Sequence, residues 1–193
     1  MLTGYSRQTE YRSLLVAPQG VRAGLIQRIE REMEFARAGR PARIRFKTNH
    51  LVDEQTIDAL YRASQAGVDI ELLVRTFCTI RTGVPGLSEN IRTRSILGRF
   101  LEHSRIYYFG GDGTPEYLIG SADLMHRNLD RRVEVLVPVK DAAARSHLQT
   151  CLDLAFDPDT AAWEHQPDGE WVRSGGTVDY QELLMKRLAD RGE

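Results

Sequence analysis

The stretch from residue 43 to residue 74 constrains this chain most, because it holds two β-rich apolar runs separated by one helix-length segment. In the first run Ile44, Phe46 and Thr48 alternate with Arg45 and Lys47, the period of a strand whose two faces differ. The second, VDIELLV, is almost continuously apolar. Between them Asp53 is placed to cap a helix that runs through Ile57, Leu60 and Tyr61 and stops at Gly67. Strand, helix and strand in that order predict parallel strands covered by helices.

The flanks continue the alternation. Residues 12–17 form a short apolar run ended by Pro18, and Val21, Leu25, Ile26, Ile29 and Met33 predict a helix that Gly39 and Pro41 terminate. Residues 75–90 contain Gly83, Pro85 and Gly86 and are predicted as a loop at a strand end, where α/β sheets usually place ligands. Residues 105–109 and 116–120 predict a hairpin around GGDGTP, which makes the sheet mixed. Another strand is expected at 133–139, then a helix at 142–156 with Leu148, Cys151, Leu152 and Ala155 on one face. Trp163, Trp171 and Val172 suggest a small packed flap, followed by a helix over 180–188. With 193 residues and 41% hydrophobic content, one core is expected: a main domain over 1–156, with 157–193 packed on it as a flap and helix.

A net charge of -1 gives no bulk argument for nucleic acid or an anionic membrane, so an anion site has to be local. Residues 75–105 supply one candidate: Arg75, Arg81, Arg92, Arg94, Arg99 and Arg105 stand against only Glu89 and Glu102. Cys78 and Cys151 form no C-x-x-C pair and fit a reducing compartment, as small buried hydrophobes. The first ten residues lack a signal pattern and no run approaches the roughly 18 apolar residues of a membrane span. A cytoplasmic location is expected.

His103 and Arg105 are two residues apart at the mouth of an apolar strand and should share a face. An imidazole beside a fixed cation needs an acid to define its role. Glu134, inside RRVEVLVPV, is the expected partner, because a carboxylate in such a strand is costly unless paired. Asp123, in the GSAD turn, is the second candidate. His126, His147 and His165 have no supporting partner in the sequence, and no cluster has metal-ligand spacing.

The string His103-Ser-Arg105, then Gly-Ser121-Ala-Asp123, then Glu134 resembles one half-site of the phospholipase D superfamily, H-x-K with G-S-x-N. Arginine replaces the usual lysine at 105, and aspartate the usual asparagine at 123. The longer strings TGVPGLSENIRTRSILGRFLEHSRIYYF and SADLMHRNLDRRVEVLVPV resemble the C-terminal region of bacterial polyphosphate kinases, from LTGY at Leu2 to WEHQPDGEW. The resemblance implies a phospholipase D-like mixed β-sheet flanked by helices on both faces. It implies reversible transfer of the terminal phosphate of ATP to polyphosphate, with magnesium arriving on the nucleotide. Arg75, Arg81, Ser121 and Asp123 are then expected to bind phosphate or ATP, with His103, Arg105 and Glu134 catalytic and His103 as the second active-site histidine. The phosphorylated histidine of that family lies upstream of LTGY, so the upstream half of the enzyme is an expected partner. His50, in KTNHLVD, falls where the family usually has a small polar residue. A non-catalytic polyphosphate- or nucleotide-binding module is the alternative, and a phosphodiesterase completed by dimerisation a more distant one; a homo-oligomer is otherwise left open.

Overall fold

The computed structural model describes residues 11–189; the LTGY end of the expected domain and the last four residues lie outside it. Its centre is the predicted strand-helix-strand unit. Strands β2 (Arg43–Thr48) and β3 (Asp69–Val74) pair in parallel, joined by α2 (Glu54–Gln65), whose N-terminus is capped by the Asp53 side chain accepting from the Thr56 amide at 3.1 Å. Gly67, at φ +91°, ends that helix as only glycine does cheaply.

Around this unit the chain adds β1 (Leu15–Val16), α1 (Val21–Arg37), β4 (Ile91–Ser95), β5 (Ile106–Phe109), β6 (Glu116–Gly120), α3 (His126–Arg131), β7 (Val135–Pro138), α4 (Ala142–Phe156), β8 (Trp163–His165), β9 (Trp171–Arg173) and α5 (Tyr180–Ala189). The sheet order is β1-β7-β6-β5-β2-β3-β4-β8-β9, parallel over β2, β3 and β4 and antiparallel elsewhere. Helices α1 and α2 cover one face, where Leu25, Ile29 and Leu60 pack on Ile44, Phe46, Ile70, Leu72 and Tyr107. Helices α4 and α5 cover the other, through Leu152, Leu154, Phe156 and Tyr180. The architecture is the mixed, doubly covered sheet that was expected.

Several boundaries differ from expectation. Strand β4 was not anticipated, because the arginines of IRTRS were assigned to an anion site; Ile91, Thr93 and Ser95 are in fact its buried residues. Arg92 reaches Glu71 at 2.6 Å and Arg94 reaches Glu164 at 2.6 Å, so much of the arginine excess of residues 75–105 is neutralised within the sheet. His103 and Arg105 are not inside a strand but in the extended segment just before β5. Glu134 likewise precedes β7. The tryptophan segment extends the sheet: β8 pairs with β4, and Trp163 is 40% exposed. No helix among the described residues is long and apolar enough to cross a membrane.

Candidate functional site

Strands β2, β3 and β6 end at the same edge of the sheet where β5 and β7 begin, a consequence of mixed pairing around a parallel centre. A cavity of about 290 Å³ opens at this edge. It is lined by His50 after β2, Arg75 after β3, His103 and Arg105 before β5, Ser121 and Asp123 after β6, Arg127 and Arg132 around α3, and Glu134 before β7. Four arginines against two carboxylates give it a positive balance.

Asp123 is the centre of the cavity floor. Arg105 grips it with two prongs, Nε to Oδ1 at 3.1 Å and Nη2 to Oδ2 at 2.8 Å. The Thr48 hydroxyl and the Asn49 amide donate to Oδ1, each at 2.9 Å, and His50 Nδ1 lies 3.2 Å from Oδ2. Burial by itself would push the Asp123 carboxyl up, but the bonds from Arg105, the Asn49 amide and His50 outweigh it and hold the group far below the usual carboxylate range. Near neutral pH it is an anion, and both of its oxygens accept hydrogen bonds.

Arg105 turns its remaining prong to His103, with Nη1 donating to the His103 carbonyl at 2.7 Å and lying 3.1 Å from His103 Nδ1. Four of its five N–H groups are therefore engaged inside the protein. A guanidinium can only donate, so Nδ1 of His103 accepts and the ring hydrogen sits on Nε2. The histidine is exposed, its Nε2–H available to a ligand. Its segment is pinned from two sides: Lys47 Nζ donates to Glu102 Oε2 at 2.7 Å and Ser104 Oγ at 2.5 Å, and Arg75 Nη1 donates to the Glu102 carbonyl. From α5, the buried Gln181 side chain brackets both the N–H and the C=O of Phe100, at 2.7 and 2.8 Å.

The expected set is thus only partly assembled. Arg75, His103, Arg105, Ser121 and Asp123 converge on the cavity. Arg81 does not; its guanidinium donates to the carbonyl of Pro167, in the turn between β8 and β9, at 2.7 Å. Glu134 lines the cavity but does not orient His103. Its Oε1 accepts from Asn128 Nδ2 at 2.6 Å, because β7 is separated from β5 by β6 and the acid faces α3 instead. Arg127, noted beside Asn128 in the sequence, and Arg132 were given no role by it, although both lie in the HRNLDRR run two residues after GSAD. Both are exposed and carry no hydrogen bond or ion pair among the described residues. His50 was set aside for want of a motif; its signal was there only in three dimensions.

Magnesium does not fit this donor set. Both lining carboxylates are engaged, Asp123 by Arg105 and three further donors and Glu134 by Asn128, and no group of three or more His, Cys, Asp or Glu residues is arranged for a metal among the described residues.

Comparison with known proteins agrees with this fold. The model of a family described as polyphosphate kinase C-terminal domain 2 matches residues 14–182. The polyphosphate kinase of Streptomyces coelicolor is 57% identical over 191 residues, covering 98% of this chain and 26% of that protein. That of Mycolicibacterium gilvum is 58% identical over 190 residues, covering 96% of this chain and again 26% of its own length. The crystal structure of polyphosphate kinase from Porphyromonas gingivalis superposes with a TM-score of 0.91 at 32% identity, over 98% of this chain and 30% of that one. Nuc, a phospholipase D family member from Salmonella typhimurium, shares the fold at a TM-score of 0.56 and 16% identity, over 83% of this chain and 97% of that one. The chain spans about a quarter of the length of the curated relatives it matches.

Proposed function

Because the chain belongs to the polyphosphate kinase C-terminal domain family, we propose that its cavity binds the phosphate groups of ATP and polyphosphate and supplies one half of the site for phosphate transfer between them. The observation that carries this reading is that Arg75, Arg127 and Arg132 line one cavity with His103, whose Nδ1 is taken up by Arg105. Phosphoryl transfer through a loose transition state asks mainly for positioned positive charge, and guanidinium groups match phosphate oxygens two at a time. In this reading His103 donates a hydrogen bond or proton to the bridging oxygen as it leaves. Arg105 contributes chiefly by holding His103 and Asp123 in place, and its field adds to the cavity. Magnesium is proposed to arrive on the phosphates of ATP, no step of the protein's own residues depending on it. Both proposed substrates are cytoplasmic solutes, the compartment we assign.

The test mixes this chain with the upstream region of the Streptomyces coelicolor relative and assays phosphate transfer from ATP. Transfer that appears only in the mixture, and that falls by roughly 10² with His103→Ala, is the expected result; equal transfer by the variant removes His103 from the reaction. A second reading is a binding module without catalysis of its own, which the exposed Arg127 and Arg132 of the cavity would serve equally. Tripolyphosphate binding without transfer in the mixture would select it.

A further inference from the structure

The segment from residue 97 to residue 104, which carries His103 to the cavity, has no apolar anchor of its own. Ile96 and Arg105 are buried at its two ends, but Leu97, Phe100 and Leu101 between them are exposed. A stretch that buries so little apolar surface keeps one course only through polar partners. Lys47 and Arg75 hold it from the sheet, both through Glu102. From α5 the partner is a single residue, Gln181, 3% exposed in the first turn of that helix. Its Oε1 accepts from the Phe100 N–H at 2.7 Å, and its Nε2 donates to the Phe100 carbonyl at 2.8 Å and to Glu102 Oε1 at 3.1 Å. One primary amide pairs all three groups, and a carboxylate could not, having no hydrogen to give. Gly98 leaves the room for it: a Cβ there would lie 2.6 Å from Gln181 Oε1 and 2.9 Å from its Cδ. The backbone of Gln181 is fixed independently, since its amide donates to Asp179 Oδ1 at 2.8 Å and the neighbouring Tyr180 hydroxyl donates to the Cys151 carbonyl of α4 at 3.2 Å.

We propose that Gln181 is a positioning residue for this site: from the C-terminal helix it fixes the course of residues 98–104 and thereby where the His103 ring stands. What the ring is held for rests on the phosphate-binding reading above, which is deepened by making the docking of α5 a condition for the site. Gln181 does not itself line the cavity and acts through the segment. The path is short. Its amide holds Phe100 and one oxygen of Glu102, while the other oxygen of Glu102 meets Lys47 and its carbonyl meets Arg75. Arg75 and His103 therefore both depend on where Glu102 sits, and the 3.1 Å contact of Arg105 with His103 Nδ1 requires the segment on this course. A displacement of about 1 Å at a reacting group can cost roughly 10² in rate, so a buried amide far from the phosphate can govern the site.

The experiment compares this chain with its Gly98→Ala and Gln181→Met variants, each labelled with 15N-histidine, by long-range 1H–15N spectra near neutral pH, with His103→Gln to assign the ring. Gly98→Ala displaces the amide without removing it, and because the far end of a glutamine side chain yields easily, thermal unfolding should stay close to the parent's. Expected in the parent is a His103 ring fixed with its hydrogen on Nε2, whose signal shifts when sodium tripolyphosphate is added. In both variants the two ring nitrogens should move towards the averaged values of a free histidine, and the tripolyphosphate shift should be largely lost. A His103 ring in Gly98→Ala that matches the parent's overturns the proposal, whatever Gln181→Met does. So does a Gly98→Ala chain that unfolds far below the parent, because Gln181 then supports the fold at large and not the site. A ring fixed in the parent and released in both variants, but indifferent to tripolyphosphate, leaves the positioning standing and removes the phosphate-binding reading.

Discussion

The two faces of the central sheet are built from the same strands and held by different forces. Towards α1 and α2, the β2, β3 and β5 side chains Ile44, Phe46, Ile70, Leu72, Tyr107 and Phe109 are fully buried, with Phe46 edge-on to both aromatic rings at 5.0 and 5.5 Å. Towards α4 and α5, the alternate positions of β2 and the first half of β3 carry charge, beside the apolar Leu73 and Ile106. Glu71 is gripped by Arg43, Arg45 and Arg92 at 3.0, 2.5 and 2.6 Å, and Arg45 is buried as deeply as any core residue. The apolar face needs only shape and volume; the charged face needs partners at specific register positions. It is also the face that reaches the site, since Lys47 holds the segment of His103. Both sides hold the layer together, and only the charged one also carries the site.

Losing either of two buried side chains, one on each face, should weaken this layer most. Phe46→Ala should cost about 3–5 kcal/mol in urea unfolding, from lost burial and the cavity left behind. Glu71→Ala should cost about as much, by leaving the buried Arg45 with only Asp153 for a partner. The two differ in their rescue: adding Arg45→Met to Glu71→Ala should restore most of the loss, because a buried ion pair is replaceable by apolar volume. No second charge change should rescue Phe46→Ala.

Asp123, where the two faces meet at the site, sharpens the contrast through pH. Its folded acid strength is raised by its donors, so its contribution is complete above the unfolded value of about 4 and is lost as pH falls towards the depressed folded value. Asp123→Asn should therefore lower stability clearly at neutral pH, with the gap to the parent chain closing in acid; an equal gap at every pH would show that shape, not charge, is what Asp123 supplies. Lys47→Met should cost about 1–3 kcal/mol and increase amide exchange at residues 100–104 more than in the β2–β3 core. Smallest is Arg92→Ala. That side chain is 61% exposed, and its pair with Glu71 should be worth no more than about 1 kcal/mol.

How much of this was legible in sequence depends on how local the signal is. Helix α4 was bounded correctly at both ends, and Asp53 was identified as a cap, because both depend on residues within a turn or two. Strand β4 was missed although Ile91, Thr93 and Ser95 alternate cleanly with Arg92 and Arg94; charge was given more weight than period. In the site, Arg105 with His103 was legible from a two-residue spacing, and Asp123 from its turn. Glu134 was given the wrong partner, and Arg81 the wrong neighbourhood. Both errors concern which distant segment lies alongside.

By itself, the order of residues determined the strand-helix-strand centre, the family likeness and the pair His103–Arg105, since these follow from backbone periods and short motifs. Only the tertiary structure decided that Arg92 and Arg94 are paired with acids of neighbouring strands, that Glu134 turns to Asn128, and that His50 reaches Asp123 across 73 residues of chain. The reason is that a charged side chain has no preferred partner until strand register places one within about 3 Å, and register is set by the packing of the apolar face.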